Sequence, residues 1–387
     1  MRHLSIFAVC SPGLEPALAS ELSTLTDGGP WQPCDGGVEF PGDMEMLWRA
    51  NLHLHTATRV LVRAGSIRAR DFATLFREAA GLPWHHYATV PVQLRLSVTM
   101  HRSRLYHSGA VAERVRAAIA KRIVVTSSPS APLLHVLVRG HEDGIVFSVD
   151  SSGEPLYRRG YRLETAKAPL RETLAAGVLI LAGWEPATPL WDPMCGSGTL
   201  VLEAALQSLA RAPGACRDFA FCSWPSFNRS RFSTLVANAA QANRTSPAAP
   251  LLGSDRNPSA VAIASRNAER LGVHEHVRFS CEDLAHARLP DQPTGLIVCN
   301  APYGRRIGGS DIRTTYRSLG VLASKLPGWR LAVLTSEPRL LGTVGRDELR
   351  VHNLVNGGIR VGLHLYGGGG EGSQPPFERA TSQRSIR

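Results

Sequence analysis

The stretch Asp192-Pro193-Met194-Cys195-Gly196-Ser197-Gly198-Thr199 decides how this chain is read. A short apolar segment precedes it, and helical periodicity follows from Thr199 to Ala210, so it marks a strand–loop–helix junction. Glycine at such a junction lets the backbone approach a ligand closely, because no Cβ stands in the way. A diphosphate site of the dinucleotide type needs G-x-G-x-x-G; here Val201 occupies the place of the third glycine. Asp192 precedes the loop instead, and a carboxylate suits a cationic ligand better than a diphosphate. Ser197 lies in G-S-G rather than G-x-S-x-G, which gives no support to a hydrolase nucleophile.

Outward from this loop, short apolar segments alternate with helical ones. Helical spacing over 170–182 leads into the loop. Beyond Ala210 come LLGSDRN, a helix over 259–271, VRFSCEDL, GLIVCNAPYG, a helix over 314–326 and RLAVLTS. Each strand ends in small or polar residues, the pattern of a doubly wound α/β sheet with its ligand at the strands' carboxyl ends. NLVNGGIRVGLHLY then reads as a hairpin turning at Asn356-Gly357-Gly358. S-adenosylmethionine, with its sulfonium and ammonium, is the cation expected at the loop. Asp255 ends the second strand, where a carboxylate can accept both ribose hydroxyls; its other reading is a helix N-cap before Pro258. Asp283, after the third, is either an acceptor for the adenine amine or a surface turn residue. The fourth strand ends in Asn300-Ala301-Pro302-Tyr303, a compact site for a planar amine. The Asn300 side-chain oxygen and the Ala301 carbonyl can accept the two amine hydrogens, and Tyr303 offers a stacking face.

The front of the chain is mixed α+β. Strands are expected over 4–9, 53–64, 90–100, 133–140 and 144–150, with helices from Leu14 to Leu25, Met44 to Ala50 and Gly109 to Arg122; residues 151–165 form a joint. The net charge is +11, almost all of it from arginine, since Lys121, Lys167 and Lys325 are the only lysines. That surplus suits a polyanionic partner, with Arg102, Arg104, Arg114, Arg116 and Arg122 as candidate phosphate contacts. Seven cysteines, with no C-x-x-C pair, indicate reduced thiols rather than a disulfide framework or a zinc site. The pairs His53/His55 and His274/His276 lack a third metal ligand nearby, so no metal is expected. No run of eighteen apolar residues and no signal peptide is present, which points to the cytoplasm.

Several longer stretches resemble one family: DPMCGSGTLVLEAA (192–205), NAPYGRRIG (300–308), SRLYHSGAVAERV (103–115), SGEPLYRRGY (152–161), KAPLRETLAA (167–176) and APGACRDFAFCSWPSF (212–227). The chain is similar to the bacterial ribosomal RNA large-subunit methyltransferase L family, the THUMP-domain guanine-N2 methyltransferases. The resemblance implies a ferredoxin-like element over 1–44 and a THUMP RNA-binding domain over 45–160. A Rossmann-like class I methyltransferase domain over 161–366 and a flexible tail over 367–387 complete it. It implies methyl transfer from S-adenosylmethionine to the N2 of a guanine in 23S ribosomal RNA. Cofactor contacts fall on Asp192, Pro193, Cys195, Gly196, Gly198, Thr199, Asp255, Asp283 and Asn300, and catalysis on Asn300, Ala301, Pro302 and Tyr303. The alternatives are methylation of an amino group in tRNA, DNA or protein, or a non-catalytic RNA-binding assembly factor. Ala301 stands where the family has proline, so Ala301→Pro is expected to be tolerated, proline fixing φ at the turn. The long stretch between Gly198 and Asp255 corresponds to an insertion around Phe221 and Trp224 that the family shares.

Overall fold

The computed structural model describes residues 3–162, 170–302 and 309–368. The chain divides into two compact units. One takes in the residues up to Cys10, Leu18–Tyr157 and Pro213–Ala239; the other takes in Ser11–Ala17, Arg158–Ala212 and the chain from Ala240 onward.

In the first unit, β1 (Leu4–Val9), β2 (Gln32–Cys34), β3 (Gly37–Gly42), β4 (Arg59–Arg68), β5 (Gln93–His101), β6 (Leu133–His141) and β7 (Gly144–Asp150) form one sheet in the order β2-β3-β1-β4-β7-β6-β5. Only β5 and β6 pair in parallel; the other neighbours are antiparallel. Its helices are α1 (Glu15–Leu25), α2 (Met44–His53), α3 (Phe72–Gly81) and α4 (Ser108–Ala120). The strand expected from His53 begins only at Arg59. Asp43 caps α2 by accepting from Met46 N, and burial of Leu47, Trp48, Ala50 and Leu52 carries the helix on to His53. The β2–β3 hairpin was not expected, although Asp35-Gly36 is a turn signal that the sequence carries, with Gly36 at φ +79°.

The second unit holds β8 (Leu190–Asp192), β9 (Leu251–Asp255), β10 (Arg278–Cys281), β11 (Gly295–Asn300), β12 (Trp329–Thr335), β13 (Glu348–Asn356) and β14 (Ile359–Tyr366), in the order β10-β9-β8-β11-β12-β14-β13. The first five are parallel, and β14 and β13 close the sheet antiparallel. This is the mostly parallel, hairpin-ended sheet that the strand pattern predicts. Gly357 and Gly358 both have left-handed backbones (φ +58° and +87°), as a two-residue hairpin turn requires. The remaining helices are α5 (Glu172–Leu181), α6 (Thr199–Ser208), α7 (Arg229–Gln241, inserted between β8 and β9), α8 (Pro258–Leu271) and α9 (Gly309–Ser324). From β8 the chain runs to β9 and β10 on one side, then returns to build β11 and β12 on the other. The ligand crevice of such a sheet lies at this reversal, outside the carboxyl ends of β8 and β11.

The insertion packs with the first unit rather than with the sheet that it interrupts. Phe221, Phe227 and Phe232 surround Trp48 with ring centroids 6.2, 5.7 and 5.9 Å away. Aromatic faces this size are costly to leave in water, and α7 buries little else.

Within the second unit, the segment 159–162 is held by buried charges. Arg159 Nη2 lies 3.5 Å from Glu203 on α6, and Tyr161 OH donates to the same carboxylate at 3.2 Å. Arg162 pairs with Glu172 on α5 at 3.0 Å and also donates to the Leu170 carbonyl. Burial pushes the Glu172 carboxyl up to about 7, against the pull of Arg162. Because its folded pKa lies above the unfolded value, Glu172 takes stability away as pH rises from its ordinary range toward 7. Arg162→Ala should deepen this loss, since an unpaired buried carboxylate costs about 3–5 kcal/mol. Urea midpoints should show a larger gap between parent and Arg162→Ala at pH 8 than at pH 5, where Glu172 is neutral in both. Equal gaps would place the stabilisation elsewhere.

Candidate active site

The glycine loop is pinned by hydrogen bonds to its backbone. Cys195 N donates to Ser254 O on β9 (2.9 Å), Gly198 N to Cys195 O (2.8 Å), and Asn267 Nδ2 of α8 to Ser197 O (3.2 Å). Gly196 and Gly198 are both left-handed, at φ +54° and +83°, for different reasons. A Cβ on Gly198 would come within 2.9 Å of Phe279 and 3.1 Å of Ala264, so that glycine lets loop, strand and helix meet. A Cβ on Gly196 would meet nothing within 4 Å, so that glycine borders open space. Pro193, Cys195 and Thr199 are buried around it, Thr199 as the first residue of α6.

Asp192 closes β8 and is 2% exposed, its Oδ1 accepting from Met194 N at 3.1 Å. Burial pushes its carboxyl well above the usual range, and the nearby Asp255 adds to this. A cation beside it would act in the opposite sense. Burial also raises the Cys195 and Cys299 thiols well above their ordinary value, with Asp192 adding to each. Both therefore stay protonated near neutrality and make poor nucleophiles.

Asp255 closes β9. Its Oδ2 accepts from Gly196 N at 2.9 Å and its Oδ1 from Asn257 N at 2.9 Å. The cap of α8 is Asn257, whose side chain accepts from Ser259 N, so Asp255 is not the N-cap. Each carboxylate oxygen has a further lone pair free for a ligand hydroxyl. Asp283, just beyond β10, is exposed and accepts from Ala285 N at 2.9 Å, the geometry of a turn residue at the rim.

Asn300 closes β11. Its Oδ1 is buried and has no hydrogen-bond partner among the described residues. An unmade buried acceptor is costly, and a donor arriving with a ligand would relieve that cost. Ala301 is 1% exposed, and its amide donates to Leu334 O on β12 at 3.1 Å. Tyr316 OH, from α9, donates to Pro302 O at 3.3 Å and shares a 2.5 Å hydrogen bond with Thr335 Oγ1. Sequence reasoning missed this Tyr316–Thr335 brace. Its one signal is a tyrosine within the helix that follows the fourth strand. Tyr303 lies outside the described residues.

Elsewhere, no group of three or more His, Cys, Asp or Glu among the described residues is placed to hold a metal. Burial, and then Arg49, pushes His53 down to about 4, so it stays neutral. Ser97 Oγ lies 2.9 Å from His135 Nε2, and His135 Nδ1 lies 3.4 Å from Asp150, the connectivity of a hydrolytic triad. Asp150, however, is ion-paired with Arg59 and accepts from the Ser152 and Gly153 amides, so its charge is already matched. Of the five arginines proposed for phosphates, all are exposed. Arg116 and Arg122 donate to the Leu94 and Ala80 carbonyls, and Arg114 lies over the Phe76 ring. No helix among the described residues is long and apolar enough to cross a membrane.

Sheet order, reversal point and strand-end residues define a class I methyltransferase fold. The chain belongs to the UPF0020 family, the RMKL-like methyltransferase domain, which matches residues 159–364; an RlmL ferredoxin-like domain matches residues 5–61. A Synechocystis protein named for RNA methyltransferase activity (slr0064) is 33% identical over 93% of this chain and 96% of its own length. The ribosomal RNA large subunit methyltransferase K/L of Syntrophotalea carbinolica is 35% identical over 93% of this chain, which spans 53% of that longer protein. The solved structure of SMU.472, named for methyltransferase activity and complexed with SAH, is 28% identical. Its TM-score is 0.87, over 95% of this chain and 99% of that one.

The Ala301 amide bond alters one expectation. Proline has no N–H, so Ala301→Pro would leave the Leu334 carbonyl without this partner in a buried place. The expected cost is about 1–3 kcal/mol, read as a lower melting temperature. An unchanged melting temperature would show that the strand end re-forms without that bond.

Proposed function

We propose that the protein transfers a methyl group from S-adenosylmethionine to the exocyclic N2 of a guanine in 23S ribosomal RNA. The observation that carries this reading is the buried Asn300 Oδ1, without a partner among the described residues, at the strand end beside the glycine loop. An exocyclic amine is a donor of the kind that this acceptor lacks. The names of the Synechocystis and Syntrophotalea relatives support an RNA substrate and, more narrowly, ribosomal RNA of the large subunit.

S-adenosylmethionine, when bound, supplies an electrophilic methyl group on a sulfonium. The site fits it in three respects. Gly196 leaves room where a Cβ would stand, Asp255 keeps lone pairs for ribose hydroxyls, and Asp192 is a buried acid that a cation would stabilise. Pro193, Cys195, Gly198 and Thr199 shape the loop, and Asp283 stands at the rim for the adenine amine. Asn300 and the Ala301 carbonyl orient the guanine amine while Pro302, braced by Tyr316, holds the turn; Tyr303 stacks on the base. The target nucleotide must be unstacked for its amine to reach this site. Alignment then supplies most of the rate. Residues 45–160 serve as a THUMP module that holds the RNA, residues 1–44 as the ferredoxin-like element, residues 161–366 as the catalytic domain and residues 367–387 as a tail. A substrate in ribosomal RNA places the protein in the cytoplasm.

Incubation with S-adenosylmethionine and undermodified ribosomal RNA should yield N2-methylguanine by nucleoside mass spectrometry. Methylation of adenine, or of tRNA or protein instead, would overturn the substrate assignment. Asn300→Ala should slow single-turnover methylation on the order of a hundredfold and leave the cofactor dissociation constant nearly unchanged. Asp255→Ala should weaken cofactor binding, because it removes both a ligand acceptor and the bond that holds Gly196. Parental rates in Asn300→Ala would remove the mechanism.

A further inference from the structure

The loop from His101 to His107, between β5 and α4, is built unusually rigidly for an exposed segment. Ser103 Oγ donates to His101 O, and the Asp143 amide donates back to Ser103 Oγ. The Asp143 carboxylate accepts from Arg104 N at 2.8 Å and from Arg70 Nε at 2.9 Å. The Arg104 amide, with Arg70 and Arg68 helping, holds that carboxyl below its usual range. Leu105 is buried at 6% exposure, and His107 caps α4 by accepting from Ala110 N. Arg102, Glu142 and Asp143 all hold left-handed backbones, at φ +46°, +50° and +66°. Glu142 and Asp143 are the two turn residues between β6 and β7, where a two-residue hairpin requires positive φ; Arg102, outside that turn, is a non-glycine residue in a conformation such residues rarely adopt.

What this scaffold displays is chemically specific. Leu105 points inward, so its neighbours Arg104 and Tyr106 stand outward, and Tyr106 is 78% exposed. Beside the loop, the exposed His101 and His141 rings stack at 5.4 Å and 9°. Arg68, Arg70, Arg102, Arg104 and Arg139 are exposed here and outnumber Asp71, Glu142 and Asp143, so the surface is net positive.

We infer that this ledge binds unpaired RNA: a base stacks on Tyr106 while Arg102 and Arg104 contact the adjoining phosphates. An exposed aromatic face beside cationic forks suits a single strand, whose bases are free to stack; a duplex offers phosphates but no free base. The inference rests on the reading of the protein as an RNA methyltransferase and names one place where its front unit grips the substrate.

The test uses the full chain and fluorescence anisotropy with a labelled twelve-nucleotide uridine strand, and with a duplex of equal length. Tyr106→Ala should weaken strand binding about tenfold or more, the size expected for one lost stacking contact, while Tyr106→Phe should stay close to the parent. The double variant Arg102→Ala/Arg104→Ala should lower the salt dependence of log affinity by about one to two. Strand binding by Tyr106→Ala equal to the parent, equal loss in Tyr106→Phe, or a duplex bound as tightly as the strand would overturn the inference. These readings need no methyl transfer. A parent that binds the strand as described but methylates no RNA would therefore sink the proposed activity and leave the ledge standing.

Discussion

The hydrogen bond from the Gly196 amide to the Asp255 carboxylate ties the loop after β8 to the end of β9. With Cys195 N on Ser254 O, it sets the glycine loop in place before any ligand arrives. The loop's left-handed glycines cost backbone entropy. Their use differs: Gly198 permits contact with Phe279 and Ala264, whereas Gly196 keeps a space open. Pre-setting the loop means that a ligand does not have to order it.

The two sides of the crevice hold opposite kinds of unmet demand. On the β8 side, burial pushes the carboxyl of an acid well above its usual range. On the β11 side, a buried carbonyl-type oxygen lacks a donor among the described residues. A cation relieves the first and an amine the second. Each costs stability in the ligand-free protein, and natural proteins retain such costs where function uses them. Around them the thiols of Cys195 and Cys299 stay inert, which leaves the acid and the amide as the chemically responsive groups.

The first unit is organised by a different force. Its sheet is built mostly by antiparallel pairing, and its aromatic centre at Trp48 is completed by phenylalanines from a segment that interrupts the other fold. At the far end of β5 and β6, hydrogen bonds around Asp143 hold an exposed loop in place.

Much of this was legible from neighbours along the chain. The alternation of strands and helices from β8 to β12, the strand-end Asp192, Asp255 and Asn300, and the hairpin at Gly357-Gly358 follow from periodicity and turn chemistry, which act over a few residues. Other features are pairings between residues distant in sequence, which local patterns do not encode. Among them are the Ala301 amide bond to the Leu334 carbonyl and the Tyr316–Thr335 brace. The Trp48 cluster belongs with them, as do the carbonyls that occupy Arg116 and Arg122. The sequence by itself determined which groups stand at the strand ends. The tertiary structure alone decided which of them are buried, paired or left wanting a partner, because burial and long-range hydrogen bonding exist only once the strands lie side by side.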